Sequence, residues 1–337
     1  MSSRSAAIGW IIIVLCVIAV PVGLFARAQH KSESKEGKSG SSWSFLHRDR
    51  IQVLNLYGAI QDERSSGLFP ETDTAPYVRR KLMKAANDKN VKAILLRINS
   101  PGGTVGMSQE VYSAVNEVRA KKKPVVVSMG DVTASGGYYI ASAADHIFAN
   151  PGTLTGSIGV IMHLLNWQET EKKIGLAPNV IKSGAFKDIG SADRPMTPEE
   201  RQLLQNIIMD SYDQFVTAVA TGRHMDKEAV KKLADGRVYS GRQAKGAHLV
   251  DDLGGYEDAL AYLQTECKKQ YGLKNDLYVD DSRSSLGMLS SLLSGSEGGS
   301  SSIGGLGLGA NTANVLQGLI PTSMDPRWNK VPLWMME

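Results

Sequence analysis

The sequence predicts an α/β fold built on a parallel sheet that is buried on both faces. Three observations lead there. Residues 91–98 and 124–129 are short, almost wholly apolar runs, the pattern of strands covered from two sides. Between them, residues 104–120 place Val111, Val115 and Val118 at helical spacing. Strands that alternate with amphipathic helices make β-α-β units, whose crossovers keep neighbouring strands parallel. Composition agrees: of 337 residues, 42% are apolar and 21% charged, enough to fill a core and too apolar for a disordered chain. Lys+Arg 38 against Asp+Glu 34 leaves a net +4, which excludes a polybasic nucleic-acid binder. Two cysteines, Cys16 and Cys267, exclude a disulfide scaffold and a cysteine-built zinc cluster. Neither reads as a catalytic thiol.

The elements follow in chain order. Residues 8–26 form an uncharged apolar run of nineteen residues. At 1.5 Å per residue a helix of that length spans about 28 Å, close to a bilayer core. Residues 1–28 are therefore expected to be a retained single-pass transmembrane anchor. Ala26-Arg27-Ala28 has the form of a cleavage site, but the run is longer than the usual cleaved core. Arg27, Lys31, Lys35 and Lys38 follow it, and by charge alone they would leave the body in the cytoplasm. Residues 29–49 are polar and Ser/Gly/Lys-rich, the composition of a tether.

The folded body is expected at 50–275. Residues 51–57 are strand-like, 76–89 helical, 91–98 a strand, 104–120 a helix, 124–129 a strand, 135–144 helical and 146–149 the start of a strand. Thr197-Pro198-Glu199-Glu200 is a capping box with Pro at the first helical position. Behind it Leu203, Leu204, Ile207, Ile208, Tyr212, Phe215, Val216 and Val219 form one continuous stripe of a long amphipathic helix. Shorter helices are expected near 226–234 and 256–269. Residues 276–314 are a Ser/Gly-rich linker, and 315–337 are an apolar tail with Trp328, Leu333 and Trp334. The glycines at 304–309 do not match a nucleotide-binding loop, since they follow no strand and open no helix.

Two glycine pairs carry the candidate chemistry. Asn99-Ser100-Pro101-Gly102-Gly103 follows one strand, and Ala134-Ser135-Gly136-Gly137-Tyr138-Tyr139 follows the next. The first turn can aim backbone N–H groups at an anion, as an oxyanion hole requires. The second exposes a serine hydroxyl at a strand-to-helix turn, a setting that suits a nucleophile. Turns from consecutive β-α units lie at the same end of a parallel sheet. A serine nucleophile needs a base. His163, 28 residues on in an apolar stretch, is one candidate. Lys187 is the other, with Gly184, Ala185 and Phe186 on one side and Asp188 on the other. A lysine base must be neutral, which apolar surroundings favour and a neighbouring carboxylate opposes. The residues alone leave both open.

In this order, Asn99–Gly103, Ala134–Tyr139, Thr155-Gly156-Ser157-Ile158-Gly159, the Lys187 segment, Gly236-Arg237-Val238-Tyr239 and Leu249-Val250-Asp251-Asp252-Leu253-Gly254 resemble the signal peptide peptidase A family, in its short, Bacillus-type form. The resemblance covers about residues 50–265. It implies a Clp protease/crotonase-like fold of repeated β-β-α units, with a helical C-terminal extension and one transmembrane helix in front. It implies a Ser-Lys dyad with Ser135 as nucleophile, Lys187 as general base and Ser157 orienting the lysine amine. The oxyanion donors would be the N–H groups of Gly136 and of Gly103 or Gly102, and His163 would have no part.

The implied enzyme is a serine endopeptidase at the plasma membrane, with its catalytic domain on the extracytoplasmic side. Its partners would be remnant signal peptides, other short apolar peptides and the membrane, with no nucleic acid and no cofactor or metal. A single-length chain would form a homo-oligomeric ring, with the dyad within one subunit or shared between two. Where the resemblance ends, two readings of the apolar tail on its long linker stay open: an inhibitory or self-processed peptide in the chain's own active site, or a disordered or membrane-facing tail. The alternative readings are a Ser-His peptidase using His163, a crotonase-like acyl-CoA enzyme and a non-catalytic membrane scaffold.

Overall fold

The computed structural model describes residues 48–62 and 72–281 and the strand Leu333–Met335. The expected anchor, most of the tether, most of the linker and the rest of the tail lie outside the described residues. Among the described residues, no helix is long and apolar enough to cross a membrane.

One eight-stranded sheet forms the centre, in the order β7-β6-β4-β2-β1-β9. Here β1 is Arg50–Tyr57, β2 Val91–Ser100, β4 Val125–Ala134, β6 Leu154–Gly156, β7 Val238–Ser240 and β9 Tyr278–Asp281. All of these pairs are parallel except β6 with β7. Two more strands, β5 (His146–Ala149) and β8 (Asp252–Leu253), extend the sheet from β4. The apolar runs of β2 and β4 lie between two layers, as their composition requires. Ile94, Leu96, Ile98, Val125 and Val127 face α1 (Ala75–Asn87) and α2 (Val105–Ala120), whose buried stripes include Val78, Leu82, Val111, Val115 and Val118. Ala93, Leu95 and Val126 face α8 (Tyr256–Tyr271) through Ala259, Leu263 and Cys267. Burial pushes the Cys267 thiol up to about 12, so it stays protonated.

Strand β4 serves two neighbours. Its first half pairs with β5 at Val126–Ser128, and its second half pairs with β6 at Val132–Ala134. The register between β2 and β4 shifts between Ile98 and Ser100, where the sheet bends from one neighbour to the other. Side chains satisfy backbone groups there. Asn99 Oδ1 accepts from Val132 N at 3.0 Å, Thr133 Oγ1 donates to Ile98 O at 2.8 Å, and Thr155 Oγ1 donates to Thr133 O at 2.6 Å.

Two expectations change. Tyr278–Asp281, read as linker, is instead β9 beside β1. The buried Gln264 amide explains it: Nε2 donates to Leu277 O and Oε1 accepts from Leu277 N, both at 2.9 Å. This pins the chain against α8 just before the strand. The long helix α5 (Pro198–Arg223) forms with its capping box, but its stripe is only half buried. Phe215, Val216 and Val219 enter the core, while Leu203 is 37% and Ile207 43% exposed.

Candidate active site

The site gathers at the C-terminal ends of β2, β4 and β6. Beyond β4, Ser135 precedes the short helix α3 (Gly136–Ala141). Its backbone has φ 52° and ψ −118°, a strained conformation for a residue with a side chain. The surroundings hold it there. Ser135 N donates to Gly156 O at 2.8 Å, and Tyr139 N donates to Ser135 O at 2.8 Å. Tyr138 is fully buried, with its hydroxyl donating to Leu249 O at 2.8 Å. Tyr139 packs against Tyr112 and Phe215 with ring centroids 4.7 and 5.2 Å away. Ser135 itself is buried, and its hydroxyl has no hydrogen-bond partner among the described residues. A buried, unsatisfied hydroxyl on a strained turn is costly and points to a use.

The turn after β2 lies beside it. Gly102–Thr104 forms the short strand β3. Ile60 N donates to Gly102 O, and Thr104 N donates to Ile60 O, both at 2.8 Å. Backbone groups alternate sides along a strand, so the N–H and C=O of Gly103 face the opposite edge. A Cβ on Gly103 would fall 1.9 Å from Ile60 O, so only glycine fits. The Gly102 N–H already donates to Ser100 Oγ at 3.1 Å. Of these two glycines, Gly103 is the one aimed at the open edge. Gly136 opens α3, where first-turn N–H groups have no intrahelical acceptor.

That open edge carries a strand. Leu333–Met335, β10, pairs antiparallel with β3, with Trp334 opposite Gly103, and also lies against α3. Leu333–Met335 is thus an extended segment laid along the glycine turn. The sequence did not foresee its register, because three residues with no near neighbour carry no local pairing signal.

Ser157 follows β6 directly, with φ 49°. It is buried, its N–H donates to Arg237 O at 2.9 Å, and it lines a cleft of about 790 Å³. The apolar wall of that cleft comes from Val160, Ile161, Ile208, Met209 and Tyr212. Gly156 supports the turn: its φ is 77°, and a Cβ there would lie 2.5 Å from the Tyr239 ring.

Ser135, Ser157, Gly103 and Gly136 thus share one end of the sheet, and Lys187 is not hydrogen-bonded to the Ser135 hydroxyl. It sits on an arm in which every residue from 172 to 187 is exposed. The arm displays Ile174, Leu176, Val180, Ile181 and Phe186 to solvent, Ile181 at 102%. His163 is no partner of Ser135 either, since that hydroxyl has none among the described residues. One feature of the arm escaped sequence reading, an ion cluster at its foot built from Lys182, Asp188, Arg194 and Glu200. Only the capping-box role of Glu200 was legible beforehand.

Comparison with known proteins gives two family matches. A profile described as Peptidase family S49 matches residues 117–270, a range that holds Ser135, Ser157 and Lys187. One described as Clp protease matches residues 48–153. A Synechocystis protein provisionally named a protease is 50% identical over 218 residues, covering 65% of this chain and 74% of that protein. An Enterococcus faecium protein provisionally named signal peptide peptidase SppA is 42% identical over 220 residues, 65% of this chain and 64% of the relative. Protease 4 of Salmonella typhi is 40% identical over 233 residues, which make up 68% of this chain and 37% of that protein.

Proposed function

The chain belongs to peptidase family S49, a family of signal peptide peptidase A-type serine proteases, and on that premise we propose that it cleaves short apolar peptides, remnant signal peptides among them, with a Ser135-Lys187 dyad. The observation that carries this reading is the buried Ser135 hydroxyl, without a hydrogen-bond partner among the described residues, beside an edge strand that takes an extended segment antiparallel. Strand addition of this kind binds a peptide through its backbone and leaves side-chain pockets to select sequence.

In the proposed reaction, neutral Lys187 takes the Ser135 proton as Oγ bonds to the peptide carbonyl carbon. The N–H groups of Gly103 and Gly136 stabilise the oxyanion. The C–N bond breaks as Lys187 returns the proton to the leaving amine. Water, deprotonated by the same lysine, then bonds to the acyl carbon, and Lys187 passes the proton to Ser135 Oγ as the ester bond breaks. Ser157 orients the lysine amine.

We place Lys187 in the site of a second copy. The exposed apolar arm and the bare first half of α5 are surfaces a soluble monomer would not keep. The cleft beside Ser157 has an apolar wall suited to such an arm. A head-to-tail contact of this kind closes into a ring when its rotation divides a full turn, and we propose that it does so here. We also propose that the chain is anchored in the plasma membrane by residues 8–26 with its catalytic domain outside the cytoplasm, and that its own tail is a competing occupant of the substrate strand.

Co-expression of Ser135→Ala and Lys187→Ala chains tests the dyad and its sharing. Each variant alone is expected to be inactive on an apolar fluorogenic peptide. Randomly mixed rings should regain about a quarter of the sites, because each needs one intact serine next to one intact lysine. A mixture that stays inactive would place the dyad within one chain. Activity in Lys187→Ala alone would overturn the dyad.

A further inference from the structure

The arm that carries Lys187 is exposed along its length, yet its foot is tied down. Lys187 lies in a compact turn: its N–H donates to Gly184 O at 3.1 Å, Ile189 N donates to Phe186 O at 3.1 Å, and Ser191 N donates to Asp188 O at 3.0 Å. Asp188, the next residue in the chain, is a carboxylate that by its position would hold a proton on a neighbouring amine. Its oxygens are already engaged. Arg194 Nε donates to Oδ2 at 2.9 Å and Nη2 to Oδ1 at 2.8 Å, a two-point fork. Lys182 Nζ adds a bond to Oδ1 at 2.7 Å. The far side of the same guanidinium grips Glu200, with Nη1 donating to Oε2 at 2.8 Å and Nη2 bonding Oε1. Glu200 is 2% exposed and closes the capping box of α5, accepting from Thr197 N at 2.9 Å.

We propose that Arg194 is a positioning residue for the base: it occupies the Asp188 carboxylate, so that the residue beside Lys187 presents no unpaired negative charge, and it fixes the Lys187 turn to the start of α5. The inference rests on the reading of Lys187 as the general base. Within the cluster the charges match: Lys182 and Arg194 balance Asp188 and Glu200. Asp193 lies outside it and accepts from the Ser191 hydroxyl at 3.2 Å. Without Arg194 the cluster carries one excess negative charge. A helix cap alone needs no such fork onto Asp188, because Thr197 and Glu200 already satisfy each other.

The test is the pH profile of kcat/KM for the full chain in mild detergent, with an apolar fluorogenic peptide as probe and assembly checked by gel filtration. In Arg194→Gln the acid limb should move up by about one pH unit, since an uncompensated carboxylate favours the protonated amine. The double variant Asp188→Asn/Arg194→Gln restores charge balance, and its limb should return toward wild type. Arg194→Lys keeps the charge and loses the fork. It should keep the wild-type limb with a lower kcat, and it serves as the comparison if Arg194→Gln does not assemble. An unmoved limb in Arg194→Gln, a double variant no better than the single one, or a shifted limb in Arg194→Lys would overturn the proposal. Lys187→Ala, assayed alongside, separates the two readings: if it stays active, the base assignment fails, whatever Arg194 does.

Discussion

Ser135 and Ser157 leave neighbouring parallel strands at the same level. Ala134 pairs with Gly156 in register, and each of these is followed by a buried serine with positive φ, 52° and 49°. Two L-residues in that conformation, side by side, each cost about 1–3 kcal/mol and persist only where the surroundings impose them. The Ser135 N–H bond to Gly156 O and the Ser157 N–H bond to Arg237 O are part of that imposition.

The strain at Ser135 predicts a separation of stability from activity. Ser135→Ala and Ser135→Gly should both lose peptidase activity by at least about 10³-fold, as nucleophile removal does elsewhere. Glycine tolerates positive φ, so Ser135→Gly should melt above Ser135→Ala, by an amount corresponding to about 1 kcal/mol. Thermal unfolding of the two variants, followed by circular dichroism, checks this. Equal midpoints would mean that the turn is not strained.

Gly103 predicts a coupled loss. A Cβ 1.9 Å from Ile60 O must push β3 away from its partner. Gly103→Ala is expected to lower kcat by about 10²-fold, the scale of losing one oxyanion donor. It should also cost about 2–4 kcal/mol in urea unfolding, as severe overpacking does. Full activity would remove Gly103 from the oxyanion hole.

Pairing of Leu333–Met335 with Gly102–Thr104 predicts competition between the tail and added peptide. A chain ending at Leu316 should show a lower KM for an apolar peptide, with kcat nearly unchanged. The same KM with and without the tail would mean that the strand does not occupy the substrate position in solution.

Glu200 predicts an acid-labile foot for the arm. The Arg194 guanidinium, helped by the Thr197 N–H, lowers its carboxyl from 4.5 to about 2. A lowered folded value means that the unfolded chain takes up the proton first as pH falls. The stabilisation is therefore complete above about pH 4.5 and disappears as pH falls toward about 2. The midpoint difference between wild type and Glu200→Gln should be constant near neutrality and close over that window. A gap that persists at pH 2 would mean that Glu200 stabilises through shape and not charge.

Much of this was legible in the residues. Apolar runs at 91–98 and 124–129, with helical spacing between them, specify β2, α2 and β4, because burial on two faces leaves no other composition for such strands. Thr197-Pro198-Glu199-Glu200 fixes the start of α5 because a capping box is satisfied within four residues. Ser135 and Gly103 could be singled out because glycine-rich turns after strands announce their own backbone needs. Sequence patterning did not tell Gly102 from Gly103. That depends on Ser100 Oγ taking one N–H and on Ile60 turning the other toward the open edge.

The sequence by itself determined the α/β class, the main strands and helices of the body and the candidates for nucleophile, base and oxyanion donor, with the base open between His163 and Lys187, since periodicity, capping and turn chemistry are all local. Tertiary structure decided what is non-local. It set the shared level of Ser135 and Ser157, the seating of β9 by Gln264, the half-bare face of α5 and the engagement of Asp188 by Arg194. Each depends on groups far apart in the chain or on which of several possible partners a polar group finds, and neither is encoded in residue spacing.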